Sequence, residues 1–411
     1  MTDATEIVLT PFAGPRALPK VPSGLRSILR LLAQNWEAGR LSIGLPSGEA
    51  VRIEGRSPGP SARMVVRDFR FVRRVLTGGH LGFAEGYLAG EWESPDLPAL
   101  LEVFSANFDR LSAVVRGHPL ARLGDALAHA FNANSRRGSR RNIRAHYDLG
   151  NAFYAPWLDA GMTYSSALYA YPGEPLEAAQ AHKYAALSRA AGLERGCRVL
   201  EIGCGWGGFA QHAAADIGCD VTGLTLSTEQ HAYAAHRLAQ AGLADRARIA
   251  LTDYRDVEGT FDRIISIEMF EAVGQAYWPV YFRRLHELLR PGGRAGLQVI
   301  VIRDDLVDGY GGKPDFIQKH VFPGGMLPSE AQLRQETARA GLVWGEVRRF
   351  GQDYAETLAE WAKAFEANWP TIRALGFDER FHRLWRYYLG YCEAGFRTGR
   401  TDVIQLTLDR P

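Results

Sequence analysis

The sequence predicts an α/β protein, with a Rossmann-like, mostly parallel, doubly wound sheet and a small α+β domain ahead of it. Three observations carry the prediction. The apolar run Val199-Leu200-Glu201-Ile202 enters the turn Gly203-Cys204-Gly205-Trp206-Gly207-Gly208 and continues into a helical stretch over 209–215. Apolar segments at 198–202, 219–225, 247–252, 262–267 and 294–302 alternate with helical spacings, the pattern of βαβ units in a parallel sheet. Finally, 411 residues exceed what one ordinary core accommodates, so more than one domain is expected.

Composition narrows the function. Apolar residues make up 46% and charged residues 23%, and the net charge is +2. That is a globular composition without the excess positive charge of a polyanion binder, so no nucleic-acid partner is expected. The cysteines Cys197, Cys204, Cys219 and Cys392 form no C-x-x-C pair. This points away from a structural zinc site, with no metal expected, and towards a reducing cytoplasm. No apolar run approaches the ~20 residues that span a bilayer. The N-terminus has no apolar core of the secretory type.

Taken in order, residues 1–22 are proline-rich and expected as a loose arm. An α+β domain is expected over 23–131, with a helix at 24–37 and a hairpin over 41–53 turning at Pro46–Gly48. A strand is expected at 63–67, then mostly helix over 96–131. A linker over 132–145 follows, with five arginines in SRRGSRRNIR, 135–144. It reads as a solvated face or as a contact for lipid phosphates. The domain over 146–411 opens on His146-Tyr147-Asp148-Leu149-Gly150-Asn151-Ala152-Phe153-Tyr154, followed by Met162-Thr163-Tyr164-Ser165-Ser166-Ala167-Leu168-Tyr169. This segment reads as a lid over a ligand or as core packing. An insertion around 304–400, with a long aromatic helix over 381–396, is expected to build a substrate pocket ahead of a last strand over 403–408.

The ligand of the glycine turn follows from its neighbours. Glu201, Gly203, Gly205 and Gly207 match E-x-G-x-G-x-G, the first motif of S-adenosylmethionine (SAM) enzymes. A dinucleotide site would place an acid at the end of the second strand, where this chain has Thr225. The alternative is a glycine turn that holds nothing. Asp253, beyond the third strand, is suited to accept a hydrogen bond from an adenine amino group. Glu271, beyond the fourth strand in IEMFEAVG, is a carboxylate in apolar surroundings, costly unless paired or functional.

HYDLGNAFY, TYSSALY, VLEIGCGWGG, GLTLSTEQ, FEAVG, VFPGGMLPS and YYLGYCEAGF, in this order over roughly 135–411, resemble the cyclopropane fatty acid synthase family of SAM-dependent methyltransferases. The resemblance implies the class I methyltransferase fold and a cis double bond in a phospholipid acyl chain as methyl acceptor. It implies a carbocation and a bound bicarbonate that removes or relays the proton. The residues holding SAM would be Tyr164, Ser165, Gly203, Gly205, Thr225, Leu226, Gln230, Asp253 and Tyr254. The bicarbonate pocket would be Ser166, Glu271, Gln298, Ile300, Tyr354 and Cys392. The lipid substrate implies peripheral contact with the inner face of the membrane; a homodimer is a further expectation. Aromatic faces could steady the cation, with Phe270, Tyr310, Tyr354, Trp385, Tyr387 and Tyr388 as candidates.

Three departures mark a variant branch. Ser166 replaces the family's cysteine, Ala272 the histidine of its FEHVG-type motif, and Gln298 a histidine that touches bicarbonate. Gln298 still donates an N–H and Ser166 keeps its backbone N–H, so an anion site is expected to survive. Glutamine does not titrate as histidine does, so a methyl- or methylene-branched product is expected instead of, or beside, a cyclopropane. The competing readings are a methyltransferase of another alkene-bearing lipid or small molecule, and a non-catalytic SAM-binding protein at the membrane.

Overall fold

The structure, a computed structural model, describes residues 6–9, 21–115, 149–310 and 315–411. The basic linker and the opening of the HYDLGNAFY segment lie outside the described residues. The chain divides into two compact units. One holds 1–128, 313–316 and 377–398; the other holds 129–312, 317–376 and 399–411.

The N-terminal unit carries a five-stranded sheet of β1 (Glu6–Leu9), β2 (Ala38–Gly44), β3 (Ala50–Glu54), β4 (Ser57–Val66) and β5 (Trp92–Glu93), in the order β1-β3-β2-β4-β5. β2 and β3 form the expected hairpin. Leu41, Ile43, Val51 and Ile53 alternate inward, and Leu45 N–H donates to Glu49 O at 2.9 Å to close the turn. The expected loose arm contains a strand instead. β1 pairs in parallel with β3, because β3 would otherwise leave one edge of N–H and C=O groups unpaired and Ile7-Val8 favours extended backbone.

The helix Glu379–Arg397 corrects the expected domain assignment, because it belongs to the N-terminal unit and not to the catalytic domain. It packs on the helix Leu97–Ala106, with Gly390 lying against Pro98 and Leu101. Arg383 donates from Nη2 to Glu93 Oε1 at 2.7 Å and from Nη1 to Tyr87 O at 3.1 Å. Its aromatic stripe therefore completes the core of this unit rather than that of the sheet that precedes it in sequence.

The second unit is built on β6 (Arg198–Ile202), β7 (Asp220–Thr225), β8 (Ala247–Leu251), β9 (Phe261–Ile267), β10 (Leu289–Ile302), β11 (Val343–Arg349) and β12 (Thr401–Asp409). Their order is β11-β12-β10-β9-β6-β7-β8, parallel except for β12, which runs antiparallel to both neighbours. The five expected strands of the Rossmann-like run are present. β10 begins earlier than expected, at Leu289, because its register shifts across the Arg290-Pro291-Gly292-Gly293 irregularity. The chain runs from β6 outward to β8, then returns to the other side of β6 with β9. That reversal opens a crevice at the carboxyl ends of β6 and β9, where such sheets bind ligands. Below it, Leu200, Ile264, Leu297, Ile404 and Leu406 form a closed core. No helix among the described residues is long and apolar enough to cross a membrane.

Candidate functional site

β6 delivers the glycine turn into the crevice. Gly203 and Cys204 both donate their N–H to Leu224 O, at 3.1 and 2.8 Å, which locks the turn against the end of β7. Gly205 has φ +51, and a Cβ there would meet no atom within 4 Å. The backbone thus adopts a left-handed conformation facing open space, a cradle for a ligand that must approach the main chain closely.

The other residues expected to hold SAM surround this cradle at the ends of β6, β7 and β8. Thr225 Oγ1 donates to Gln230 Oε1 at 2.9 Å, and Ser227 caps the following helix by accepting Gln230 N–H at 3.3 Å. Leu226, between them, is half-buried. Asp253 is buried and holds Arg255 at 2.6 Å, so its carboxylate is oriented before any ligand arrives. Tyr254 packs edge-on to Tyr281. Tyr164 sits in an aromatic wall with Tyr154, Trp157 and Trp361, at ring-centroid distances of 5.3–5.7 Å. Glu201 is 2% exposed, and burial pushes its carboxyl up to about 8. These residues fit SAM, whose amino acid and ribose groups need oriented donors and acceptors around an open backbone turn.

Lys183 links this cradle to the second cluster. It is fully buried in the helix Leu176–Ala191, and its Nζ donates to Ser165 Oγ at 2.6 Å. Burial lowers its ammonium to about 7, against the attraction of Glu268, Asp159 and Glu201.

The second cluster surrounds Glu268, the residue just past β9. Its Oε1 accepts Ser166 N–H at 2.8 Å and Gln298 Nε2–H at 2.8 Å, and its Oε2 accepts the Tyr354 hydroxyl at 2.6 Å. Each donor is fixed from behind. Ala167 N–H bonds Thr357 Oγ1 at 3.1 Å and Tyr169 N–H bonds Asp353 Oδ2 at 3.0 Å, pinning the Ser166 loop to the helix that carries Tyr354. Gln405, opposite Gln298 in the β10–β12 ladder, donates to Gln298 Oε1 at 3.1 Å and so turns the Gln298 amide N–H towards Glu268. Beside this group, Glu271 Oε1 accepts Ile300 N–H at 2.6 Å, while its Oε2 is sealed from solvent with no hydrogen-bond partner. Burial first, and the nearby Glu268 second, push the Glu271 carboxyl up to about 8. The two clusters touch at Gly203, where a Cβ would lie 2.6 Å from Met269 Cγ, the residue after Glu268.

Five of the six residues expected around bicarbonate, namely Ser166, Glu271, Gln298, Ile300 and Tyr354, therefore gather in the second unit. Cys392 does not join them within that unit; it lies on the helix Glu379–Arg397 of the N-terminal unit, and burial raises its thiol. Of the aromatic candidates, Phe270 is core, wedged among Trp278, Tyr281 and Phe282. Trp385, Tyr387 and Tyr388 belong to the N-terminal unit.

Bicarbonate itself does not fit this arrangement. The donors that would bind it, Ser166 N–H, Gln298 Nε2–H and the Tyr354 hydroxyl, already converge on the Glu268 carboxylate. Lys183 and Gln405 are the residues that sequence reasoning missed; it places Glu268 at the carboxyl end of the fourth expected strand but gives it no role. The available signal was polarity in the wrong place: Gln298 and Gln405 interrupt apolar strand runs, and a buried amide needs a partner.

A family model for mycolic acid cyclopropane synthetase matches residues 134–406. The chain is 38% identical over 407 residues to tuberculostearic acid methyltransferase UfaA1 of Mycobacterium tuberculosis, covering 96% of this chain and 95% of that one. It is 35% identical over 379 residues to cyclopropane-fatty-acyl-phospholipid synthase of Escherichia coli, covering 92% and 94%. Among solved structures, mycolic acid cyclopropane synthase CmaA1 complexed with SAH and CTAB is similar with a TM-score of 0.62 at 31% identity, covering 66% of this chain and 98% of that one.

Proposed function

The chain belongs to the mycolic acid cyclopropane synthetase family of SAM-dependent methyltransferases, and from that premise we propose that it methylates the double bond of an unsaturated acyl chain in membrane phospholipid. SAM, when bound, supplies an electrophilic methyl group. The residues proposed to hold it are Tyr164, Ser165, Glu201, Gly203, Gly205, Gly207, Thr225, Leu226, Gln230, Asp253 and Tyr254. The observation that carries the reading is a cluster of two buried carboxyls, Glu268 and Glu271, placed next to the glycine cradle. An alkene has no proton to lose before it attacks, so the site needs no base for the first bond. It needs a base only afterwards, and a dry wall that keeps water from the cation. Tyr164, Trp157 and Trp361 supply that wall beside the cradle.

Glu271 is neutral at pH 7 with its carboxyl raised to about 8, so it adds no second negative charge that would trap the cation. Gln298 orients without titrating. We propose a methyl- or methylene-branched product, which similarity to a tuberculostearic acid methyltransferase supports. The acyl substrate requires peripheral contact with the inner face of the membrane.

The test supplies SAM labelled on its methyl group to a host containing monounsaturated phospholipid, with and without the protein. The fatty acid methyl esters are then analysed by gas chromatography–mass spectrometry before and after hydrogenation. A labelled chain gaining one CH2 and taking up two hydrogens is a methylene or methyl-branched alkene product. A labelled chain that resists mild hydrogenation as a ring contradicts the branched reading. Absence of label from all lipid contradicts the lipid substrate.

A further inference from the structure

We propose that Glu268 is the resident occupant of the anion slot and the general base of the reaction, so that this enzyme needs no bicarbonate. The slot is complete: two N–H groups and one hydroxyl at 2.6–2.8 Å close on the two oxygens of one carboxylate. These are the donors that an exogenous bicarbonate would require, and Glu268 leaves no room for a second anion among them.

The backbone supports the assignment independently. Glu268 has φ +48, one of two non-glycine residues with positive φ among the described residues. A glutamate gains nothing locally from that conformation. It is held because Glu268 N–H donates to Gln298 O at 2.8 Å, extending the β9–β10 ladder one residue past its end and turning the side chain into the slot. Strain kept at one position beside a ligand cradle is a pointer to use. The electrostatics agree. Burial raises the Glu268 carboxyl as well, but three donors and Lys183 oppose that rise, whereas Glu271 has one donor and an orphaned oxygen. Of two neighbouring buried carboxyls, the one with more donors keeps the charge, so Glu268 is the anion and Glu271 the acid.

The chemistry, which rests on the function proposed above, balances without a co-reactant. The alkene π pair forms a bond to the methyl carbon, the carbon–sulfur bond breaks, and its pair stays on sulfur. The resulting carbocation loses one proton to a Glu268 oxygen. The C–H pair left behind closes a new π bond or a ring, and the neutral Glu268 carboxyl later returns its proton to solvent.

Two variants separate occupancy from catalysis, both in the full chain. E268Q keeps the shape: the amide oxygen accepts from Ser166 and Gln298, and the amide N–H donates to the Tyr354 oxygen. E268G removes the carboxylate at a position whose φ suits glycine, and opens the slot. In carbonate-free buffer, with labelled SAM and vesicles of cis-monounsaturated phosphatidylglycerol, wild-type turnover is expected to be unchanged by added bicarbonate. E268Q is expected to lose about 100-fold or more in kcat while SAM binding by calorimetry is retained. E268G is expected to be as slow until bicarbonate or formate is added, and then to recover, whereas E268Q does not. Binding of isotopically labelled bicarbonate, followed by NMR line width without any lipid, decides occupancy separately: E268G binds it and the wild type does not. Bicarbonate binding to the wild type, stimulation of wild-type turnover by bicarbonate, or wild-type kcat in E268Q would each overturn the assignment. An inactive wild type in the lipid assay would instead count against the proposed substrate, with the binding experiment still deciding who fills the slot.

Discussion

Glu268 and Glu271 stand three residues apart, and only Glu268 has the donors to stay ionised. For Glu271 the consequence is a pH-dependent stability whose sign can be worked out. Its carboxyl is raised from 4.5 to about 8 by burial first and by Glu268 second. The folded state therefore binds a proton that the unfolded state has already released. The stabilisation is full below the unfolded value and is lost as pH rises through the folded one. E271Q stays neutral and still accepts Ile300 N–H. Its stability advantage over the wild type is expected to grow between about pH 5 and pH 8, by at most about 1.4 kcal/mol per unit. Urea denaturation of both proteins across that range measures it, and a constant difference would contradict the protonated Glu271.

Among the elements, the turn between β6 and its helix carries the glycine motif. Gly205 faces open space with φ +51, so the cost of a side chain there is conformational rather than steric. G205A is expected to lose about 1–2 kcal/mol of stability, the penalty of a left-handed alanine. Its methyl would also stand in the cradle, raising KM for SAM more than it lowers kcat. Thermal unfolding and initial rates with varied SAM read the two effects; an unchanged KM would remove this turn from the binding site. The strands on either side were legible because buried parallel strands are continuous apolar runs. The antiparallel β12 was legible as a strand, but its place between β10 and β11 was not, since nothing local encodes which neighbour it pairs with.

At the scale of the whole molecule, chain order and spatial order part company at the helix Glu379–Arg397. It lies far down the sequence, yet it joins the N-terminal unit through Arg383, which bridges Glu93 and the Tyr87 carbonyl. R383A is expected to destabilise this unit by about 1 kcal/mol, because Glu93 and the Tyr87 carbonyl each lose one donor while keeping another, Arg67 for Glu93 and Gly90 N–H for the carbonyl. Guanidinium unfolding of R383A against R383K tests it. Equal midpoints for R383A and the wild type would show that apolar packing alone holds the helix. The helix was legible in the sequence from its 3.6-residue aromatic stripe, but its destination was not, because a stripe states that a face is buried and not against what.

The sequence by itself determined the sheet class and the glycine turn with its cofactor, because these rest on local periodicity and on a backbone motif whose spacing is its chemistry, and its ordered motifs carried the resemblance to the family. That resemblance also implied that Ser166, Gln298 and Tyr354 surround an anion. Only the tertiary structure decided which anion they face. Glu268 reads in sequence as one more acid after a strand; the fold brings it to residues 102, 30 and 86 positions away and turns its side chain inward. Contacts made across such separations are set by how the strands and the Ser166 loop close on one another, and no window of sequence contains them.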